Sequence, residues 1–259
     1  MTSKMRMSMK EALKVTHFVR IPLVTRTSLP QILESYRRLE NDPIFALVPK
    51  SALTHPANLH FTLGSLSLPT PSHVEAALKL LESITVRQED QPLTAHVLGI
   101  GNSLASRSPR NLSRDLRLFS RIEDPTNSLQ RFCHEVYLGL RDEFKCEFSQ
   151  AYPIPFQTRV IHTIRSIPEP ATGTQRKGLR TRIDATDILR NYKDVILMKN
   201  VKLQELNISE IGLKKVLYED VAVAGYRNVA TVSLPGTAGD GTKPLQTELD
   251  ASIPVRTPK

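Results

Sequence analysis

LHFTLGSLSL, the stretch that runs from residue 59 to residue 68, decides the fold of this chain. Its apolar residues at positions 59, 61 and 63 alternate with His60 and Thr62, which is the period-two pattern of a strand with one buried face. His60 and Thr62 therefore project together from the opposite face. An imidazole can transfer protons near neutral pH, and a hydroxyl can donate to a phosphate oxygen. This strand is a candidate phosphate site.

Strand and helix patterns alternate on both sides of this stretch. Further strands are predicted over residues 17–26, 93–100, 116–122, 156–164, 201–208 and 229–234. Helices are predicted over residues 28–41, 72–84 and 128–144, where apolar residues recur at helical spacing, and a short helix is predicted over residues 185–192. No repeat of 20 to 50 residues is evident. The alternation predicts an α+β domain.

The two ends of the sequence differ from this folded part. Residues 1–16 contain lysines and methionines but no apolar run of the kind found in a secretory signal, and we expect a flexible N-terminal arm. Residues 235–259 are rich in glycine, proline and threonine and contain no aromatic residue, which predicts a disordered tail. The folded domain is therefore expected over residues 17–234.

Composition and charge limit the classes of partner. With 35 Lys and Arg against 26 Asp and Glu, the formal net charge is +9, which favours nucleic acids or phosphate esters. No apolar run approaches the roughly 18 residues of a membrane span, so no membrane partner is expected. Two cysteines form neither a disulfide framework nor a four-ligand zinc site, which favours a reducing compartment. We expect the cytoplasm, the nucleus or both.

Four stretches, taken in order along the chain, resemble the 2H phosphoesterase superfamily. They begin with THFVRIPLVTR, LHFTLGSLSL, RIEDPTNSLQRF and RIDATDILRNYKDV. More narrowly, the sequence resembles the 2′,5′ RNA ligase-like domain shared by A-kinase anchoring protein seven and activating signal cointegrator complex subunit one. The resemblance implies a bilobal α+β fold with two small antiparallel sheets, flanked by helices, around a central cleft. Each lobe would contribute one His-x-Thr strand to that cleft.

The resemblance also implies a chemistry. In catalytically active members, two histidines act as general base and general acid on a 2′,3′-cyclic phosphate or a 2′,5′ linkage, and the threonines hold the phosphate. In-line attack at phosphorus needs one proton removed from the nucleophile and another delivered to the leaving oxygen, which two histidines can supply. The family implies no metal and no other cofactor. His60 and Thr62 match the first of its two motifs.

The second motif of the family is altered in this sequence. An alignment without a gap puts Gln157 at the histidine position and Arg159 at the threonine position, so a proton carrier is lost while Arg159 can still bind phosphate. Alternatively, His162 and Thr163 form the second motif after a one-residue deletion. Strand alternation predicts that His162 lies on the face opposite to Gln157 and Arg159, and only a bulge would reverse this.

Two functions follow from these residues. The first is an RNA-end or nucleotide-binding domain. Such a domain either binds without turnover or keeps metal-independent 2′,3′-cyclic or 2′,5′ phosphodiesterase activity. Its candidate catalytic residues are His60, Thr62 and His162, and its candidate phosphate-binding residues are Thr62, Gln157, Arg159 and Thr163. The alternative is a non-catalytic protein-interaction or coactivator-type module, which would have a protein partner. In either case we expect a monomer. Arginines at positions 107–121 and 176–182 either line the cleft or are solvated loop residues.

Overall fold

The computed structural model describes most of the predicted domain. The described residues are 15–46, 48, 52–88, 92–102, 117–144, 156–162, 185–212, 214–218 and 221–236. Most of the predicted arm and tail, Thr163, and the arginines at positions 107–114 and 176–182 lie outside the described residues. Within them, no helix is both long enough and apolar enough to cross a membrane.

The described part of the chain contains ten strands and four α-helices. The strands are β1 His17–Pro22, β2 His60–Leu66, β3 Thr94–Gly101, β4 Arg117–Glu123, β5 Gln157–His162, β6 Ile196–Lys202, β7 Glu205–Glu210, β8 Lys214–Tyr218, β9 Val221–Gly225 and β10 Asn228–Ser233. The helices are α1 Leu29–Asn41, α2 Pro71–Val86, α3 Ser128–Phe144 and α4 Thr186–Asn191. All four helices were predicted, three of them from apolar spacing, whereas the β8–β9 hairpin was not predicted.

The strands form two four-stranded antiparallel sheets, one in each lobe. The first has the order β10-β7-β1-β2 and the second has the order β5-β4-β3-β6, while β8 pairs with β9. This bilobal α+β arrangement confirms the predicted fold class. Buried apolar residues from both sheets and the helices form one cluster.

The edge strands β2 and β5 meet where the two sheets come together. The Thr54 backbone N–H donates to the carbonyl oxygen of Val160 at 2.8 Å, which ties the segment before β2 to β5. The rings of Phe61 on β2 and Phe156, just before β5, stack with their centroids 4.8 Å apart. The two strands that carry the candidate motifs are therefore neighbours.

Helix α1 shows how the helices hold the sheets in place. It begins after Ser28, with a proline in its first turn, and buries residues at helical spacing. On that buried face, the Ser35 hydroxyl donates to the Leu197 carbonyl of β6 and the Tyr36 hydroxyl donates to the Thr54 carbonyl, both at 2.8 Å. These hydrogen bonds satisfy polar groups inside the core and fix α1 against the second lobe.

The predicted strand over residues 201–208 is wrong, because this segment contains parts of two strands that belong to different sheets. β6 pairs with β3 in the second sheet, and β7 pairs with β1 in the first. Leu203 and Gln204, which connect them, are both buried. β6 buries the adjacent residues Leu197 and Met198, and β7 is buried at five consecutive positions, so no single alternation runs through both strands. This explains why the alternation in the sequence is imperfect here.

The two lobes repeat one arrangement of strands and helices. In each lobe a helix connects two antiparallel strands: α1 lies between β1 and β2, and α3 lies between β4 and β5. β1 begins at His17 and β4 begins at Arg117, so the repeat is about 100 residues long. The search for shorter periods in the sequence therefore did not reveal it.

Candidate phosphate-binding cleft

A bulge keeps the polar residues of β2 on one face. Thr62 and Gly64 pair with successive residues of β1, which leaves Leu63 as an extra residue in β2. Leu63 is buried, and Ser65 returns to the half-buried face that also carries His60 and Thr62. This face of the first sheet therefore presents an imidazole and two hydroxyls in a row.

The His60 ring is held in a defined tautomer. Its Nδ1 lies 2.7 Å from the carbonyl oxygen of Asn58. Since a carbonyl oxygen only accepts, Nδ1 must carry the proton, and Nε2 is the nitrogen that can accept one. The rings of Phe18 and Tyr226 pack against the imidazole, with centroid distances of 5.6 and 5.3 Å. His60 is thus oriented as a base or a hydrogen-bond acceptor at Nε2.

A buried arginine lies beside Thr62 in the same sheet. Arg20 pairs with Thr62 across the β1–β2 ladder, and its side chain is 0% exposed. Its Nε donates to Ser209 Oγ and its Nη2 donates to Asn228 Oδ1, each at 2.8 Å. The guanidinium also lies over the ring of Tyr226, 5.5 Å from its centroid. The face that carries Thr62 therefore contains a permanent positive charge. A buried carboxylate is close to it, because Glu205 of β7 accepts a hydrogen bond from Asn207, the residue paired with Arg20.

The sequence analysis did not identify this network. Arg20 is the charged residue within an otherwise apolar strand, and a buried arginine requires hydrogen-bond partners. Its partners lie on strands near the end of the domain, where Glu205, Asn207 and Ser209 alternate with apolar residues. Both signals are present in the sequence, but neither indicates that the two strands belong to one sheet.

Strand β5 contains a bulge that matches the one in β2. Arg159 and Ile161 pair with successive residues of β4, which leaves Val160 as the extra residue. Val160 and Ile161 are both buried, so the alternation of β5 reverses after this point. In both edge strands the extra residue of the bulge therefore comes directly after the second motif position, which is Thr62 in β2 and Arg159 in β5.

The bulge overturns the prediction for the face of His162. Gln157, Arg159 and His162 are all half-buried on one side of β5, and the residues between them are buried on the other. Strand alternation alone put His162 on the opposite face, because it assumed a regular strand. The extra residue at position 160 shifts the alternation by one position, so His162 returns to the face of Gln157 and Arg159.

The two bulges also define which positions of the strands are equivalent. Counted from each bulge, Gln157 corresponds to His60, Arg159 corresponds to Thr62, and His162 corresponds to Ser65. Because the extra residue of the bulge adds no rung, four steps of the β4–β5 ladder separate Gln157 from His162. At about 3.3 Å per step, His162 lies roughly 13 Å along the strand from Gln157. His162 therefore lies on the same face as Gln157 and Arg159, but it does not occupy the strand position that corresponds to His60.

A cavity of about 320 Å³ adjoins Gln157 on the second sheet. Its lining includes Gly101 of β3 together with Phe119 and Arg121 of β4. The guanidinium of Arg159 lies 5.9 Å from the centroid of the Phe119 ring. Aromatic and cationic groups thus meet beside the position that corresponds to His60, and the Asp194 carboxylate also lines the cavity.

The structure brings most of the predicted site residues to the two neighbouring edge strands. His60 and Thr62 share a face of β2, and Gln157, Arg159 and His162 share a face of β5. The catalytic and phosphate-binding roles assigned to them from the sequence stay predictions. The remaining candidate, at position 163, lies outside the described residues.

Comparison with known proteins finds one matching family and several similar solved structures. Residues 15–220 match the family described as the AKAP7 2'5' RNA ligase-like domain. Among solved structures, TT0787 of Thermus thermophilus is 15% identical, with a TM-score of 0.49 over 85% of this chain and 98% of that chain. E. coli LigT complexed with NADP+ and with 3'-AMP is 15% and 14% identical, with TM-scores of 0.47 and 0.48 over 85% of this chain and 98% of each of those chains. No curated protein sequence matches.

Proposed function

The chain belongs to the AKAP7 2'5' RNA ligase-like domain family, within the 2H phosphoesterase superfamily, and from that premise we propose that it binds RNA ends or nucleotides through a phosphate group held between β2 and β5. The observation that carries the proposal is the matched pair of bulges. They make Gln157 and Arg159 the counterparts of His60 and Thr62. A phosphate between the strands would then meet the Thr62 hydroxyl on one side and the Arg159 guanidinium on the other.

The same equivalence favours binding over turnover. Hydrolysis of a 2′,3′-cyclic phosphate forms a P–O bond to water and breaks the bond to one ribose oxygen. His60 Nε2 can take the proton from the water, and the leaving ribose oxygen needs a proton from the other side of the phosphorus. An amide at position 157 can donate a hydrogen bond but cannot transfer a proton. The chain would therefore hold the phosphate without completing the reaction.

A second candidate function is a retained cyclic phosphodiesterase with His162 as the general acid. The observation that favours it is the shared face of His162, Gln157 and Arg159. The separation of roughly 13 Å along the strand counts against it, because a general acid must come within hydrogen-bond reach of the leaving oxygen. Activity and binding assays on the same samples distinguish these two functions.

The experiment measures binding and hydrolysis of a nucleoside 2′,3′-cyclic monophosphate, by calorimetry and by chromatography of the products. The unmodified protein is expected to bind the nucleotide and leave it intact. Arg159→Ala should weaken binding about tenfold or more, since a hydrogen bond to a charged group contributes roughly 1.5–3 kcal/mol. His73→Ala is the matched control, because His73 is an exposed histidine on α2, and it should change nothing.

A restored second motif gives the sharper test. The double variant Gln157→His with Arg159→Thr should acquire hydrolysis of the cyclic nucleotide, and adding His60→Ala should abolish it, because both proton carriers are then needed. Hydrolysis by the unmodified protein that depends on His60 and His162 would support the second candidate instead. Absence of binding in all these proteins would overturn the proposal and favour a protein-interaction module.

A further inference from the structure

The hydrogen bond to Asn58 fixes only one corner of the His60 ring. It joins Nδ1 to a carbonyl oxygen two residues earlier in the chain. Rotation about the Cβ–Cγ bond of a histidine has a broad energy profile, so one hydrogen bond does not settle the orientation of the ring. If the ring turned over, Cε1 would occupy the place of Nε2 and the accepting nitrogen would be lost from the cleft. Contacts on the ring itself are needed to prevent this.

Tyr226 provides such a contact, together with Phe18. The Tyr226 ring stands at 84° to the imidazole, with the two centroids 5.3 Å apart. Phe18 lies 5.6 Å from the imidazole and 4.9 Å from the Tyr226 ring, so each of the three rings touches the other two. These distances and tilts are those of favourable aromatic pairs. Rotation of the imidazole would therefore have to displace one of its two neighbours.

The Tyr226 side chain comes from the opposite side of the sheet. Tyr226 lies between β9 and β10, and β7 and β1 separate β10 from the strand that carries His60. Its ring therefore reaches the imidazole by crossing the face of the first sheet. The backbone of this turn is tied to β7, because the Glu210 N–H donates to the carbonyl oxygen of Arg227 at 2.9 Å.

The buried guanidinium of Arg20 supports the Tyr226 ring from β1. It lies 5.5 Å from the ring centroid, within the range of a cation–π contact, and its Nη2 holds Asn228, two residues after Tyr226. Because Arg20 is 0% exposed, it cannot touch a ligand in the cleft. Any effect of Arg20 on the chemistry of the cleft must pass through the residues that it contacts.

We propose that Tyr226 is a positioning residue, which keeps the His60 imidazole in one orientation with Nε2 as the accepting nitrogen, and that Arg20 acts on His60 through Tyr226. This inference deepens the proposed function, on which it rests for the role of His60. It makes the turn before β10 a part of the site, although neither Tyr226 nor Arg20 belongs to a His-x-Thr motif.

The test is nuclear magnetic resonance of the protein with ¹⁵N-labelled histidine, without any ligand. At about pH 8 a histidine of ordinary pKa is neutral, and two-bond ¹⁵N–¹H correlations show which ring nitrogen carries the proton. His60→Ala identifies the signals of this ring by their loss. In the unmodified protein, His60 should be protonated almost entirely at Nδ1.

Substitutions of Tyr226 separate its ring from its hydroxyl. Tyr226→Leu should lower the Nδ1-protonated fraction of His60 to about half or less, because a released ring exchanges its proton between both nitrogens. Tyr226 is partly exposed in a turn, so this variant should stay folded. Tyr226→Phe keeps the ring and should keep the signal. The matched control is Tyr137→Leu, since Tyr137 is a half-buried tyrosine on α3 with the Arg141 guanidinium 5.8 Å from its ring.

A double variant tests the role of Arg20. Arg20→Met should lower the Nδ1-protonated fraction of His60 by less than Tyr226→Leu does, because the tyrosine ring is still present. Added to Tyr226→Leu, it should cause no further loss, since a residue that acts through Tyr226 has no effect once that ring is gone. Losses that add in the double variant would refute the link through Tyr226.

The other outcomes also decide the inference. If Tyr226→Leu leaves His60 protonated at Nδ1, the hydrogen bond to Asn58 is sufficient and the inference fails. It fails as well if Tyr226→Phe or Tyr137→Leu causes the same loss as Tyr226→Leu, because the Tyr226 ring is then not the cause. Since the signals are read without a ligand, a protein that binds no cyclic nucleotide would overturn the proposed function while these spectra still decide the role of Tyr226.

Discussion

Removing one acceptor of Arg20 is expected to cost more stability than removing Arg20 itself. The guanidinium is completely buried and donates to Ser209 and Asn228, both at 2.8 Å. The Ser209 hydroxyl also donates to Asn228 Oδ1 at 2.8 Å, which closes a triangle of hydrogen bonds. A charge that is enclosed in this way cannot replace a lost partner with bulk water.

The two substitutions differ in what they leave behind. Asn228→Ala removes the acceptor of Arg20 Nη2 and should lower the free energy of unfolding by about 2–3 kcal/mol, as expected for a hydrogen bond to a charged group. Arg20→Met loses both hydrogen bonds but also removes the cost of burying the charge, so the loss should be about 1 kcal/mol. Because the two residues are in direct contact, the double variant should lose less than the sum of the two.

Urea unfolding followed by circular dichroism measures these differences. Asn41→Ala, at an exposed position at the end of α1, is the matched control and should stay within about 0.5 kcal/mol of the unmodified protein. If Arg20→Met lowers the free energy of unfolding at least as much as Asn228→Ala does, or if the two losses add, the reasoning is refuted. An unpaired buried charge would then not explain the loss of stability.

Three further substitutions test the packing around the cleft, and a fourth tests the protonation of His17. Gly99→Ala should cost more than about 2 kcal/mol, because Gly99 has a φ of 65° and the added Cβ would lie 2.1 Å from a backbone oxygen of the loop before β6. Gly101→Ala should stay within about 0.5 kcal/mol, and equal urea midpoints for the two would contradict this account. Phe61→Ala should lower the free energy of unfolding by about 3–5 kcal/mol, since Phe61 is 1% exposed and its ring stacks on Phe156. A loss below about 1 kcal/mol in the same assay would show that the stack does not hold the edge strands together. Burial lowers the pKa of His17, so its contribution to stability is complete above its ordinary value of about 6.5 and is lost as the pH falls through its lower folded-state pKa. His17→Gln should therefore flatten the loss of stability between pH 7 and pH 5, and an unchanged pH profile would contradict the reasoning.

Local patterns in the sequence were sufficient to predict the strands and helices that bury one regular face. The alternation around His60 predicted β2 and the side on which Thr62 lies, and apolar spacing predicted α1, α2 and α3. These predictions succeed because helical and extended periods are properties of a few consecutive residues. The resemblance to the 2H phosphoesterases correctly added the two antiparallel sheets of a bilobal fold.

The position of His162 could not be obtained in the same way. A bulge forms when two strands pair with unequal numbers of residues, so it depends on the partner strand as well as on the strand itself. Nothing in the residues around Val160 distinguishes a bulge from regular alternation, and a one-residue difference reverses every later side chain. The pairing with β4 decides that His162 joins the face of Gln157 and Arg159.

The sequence by itself determined the fold class and the net positive charge, because these depend on composition, local period and residue identity. Only the tertiary structure decided which strands share a sheet. It separated β6 from β7 into different lobes and brought Ser209 and Asn228 to Arg20. Those contacts join residues about 190 to 210 positions apart, and their geometry is set by the pairing of whole strands, which short-range patterns do not contain.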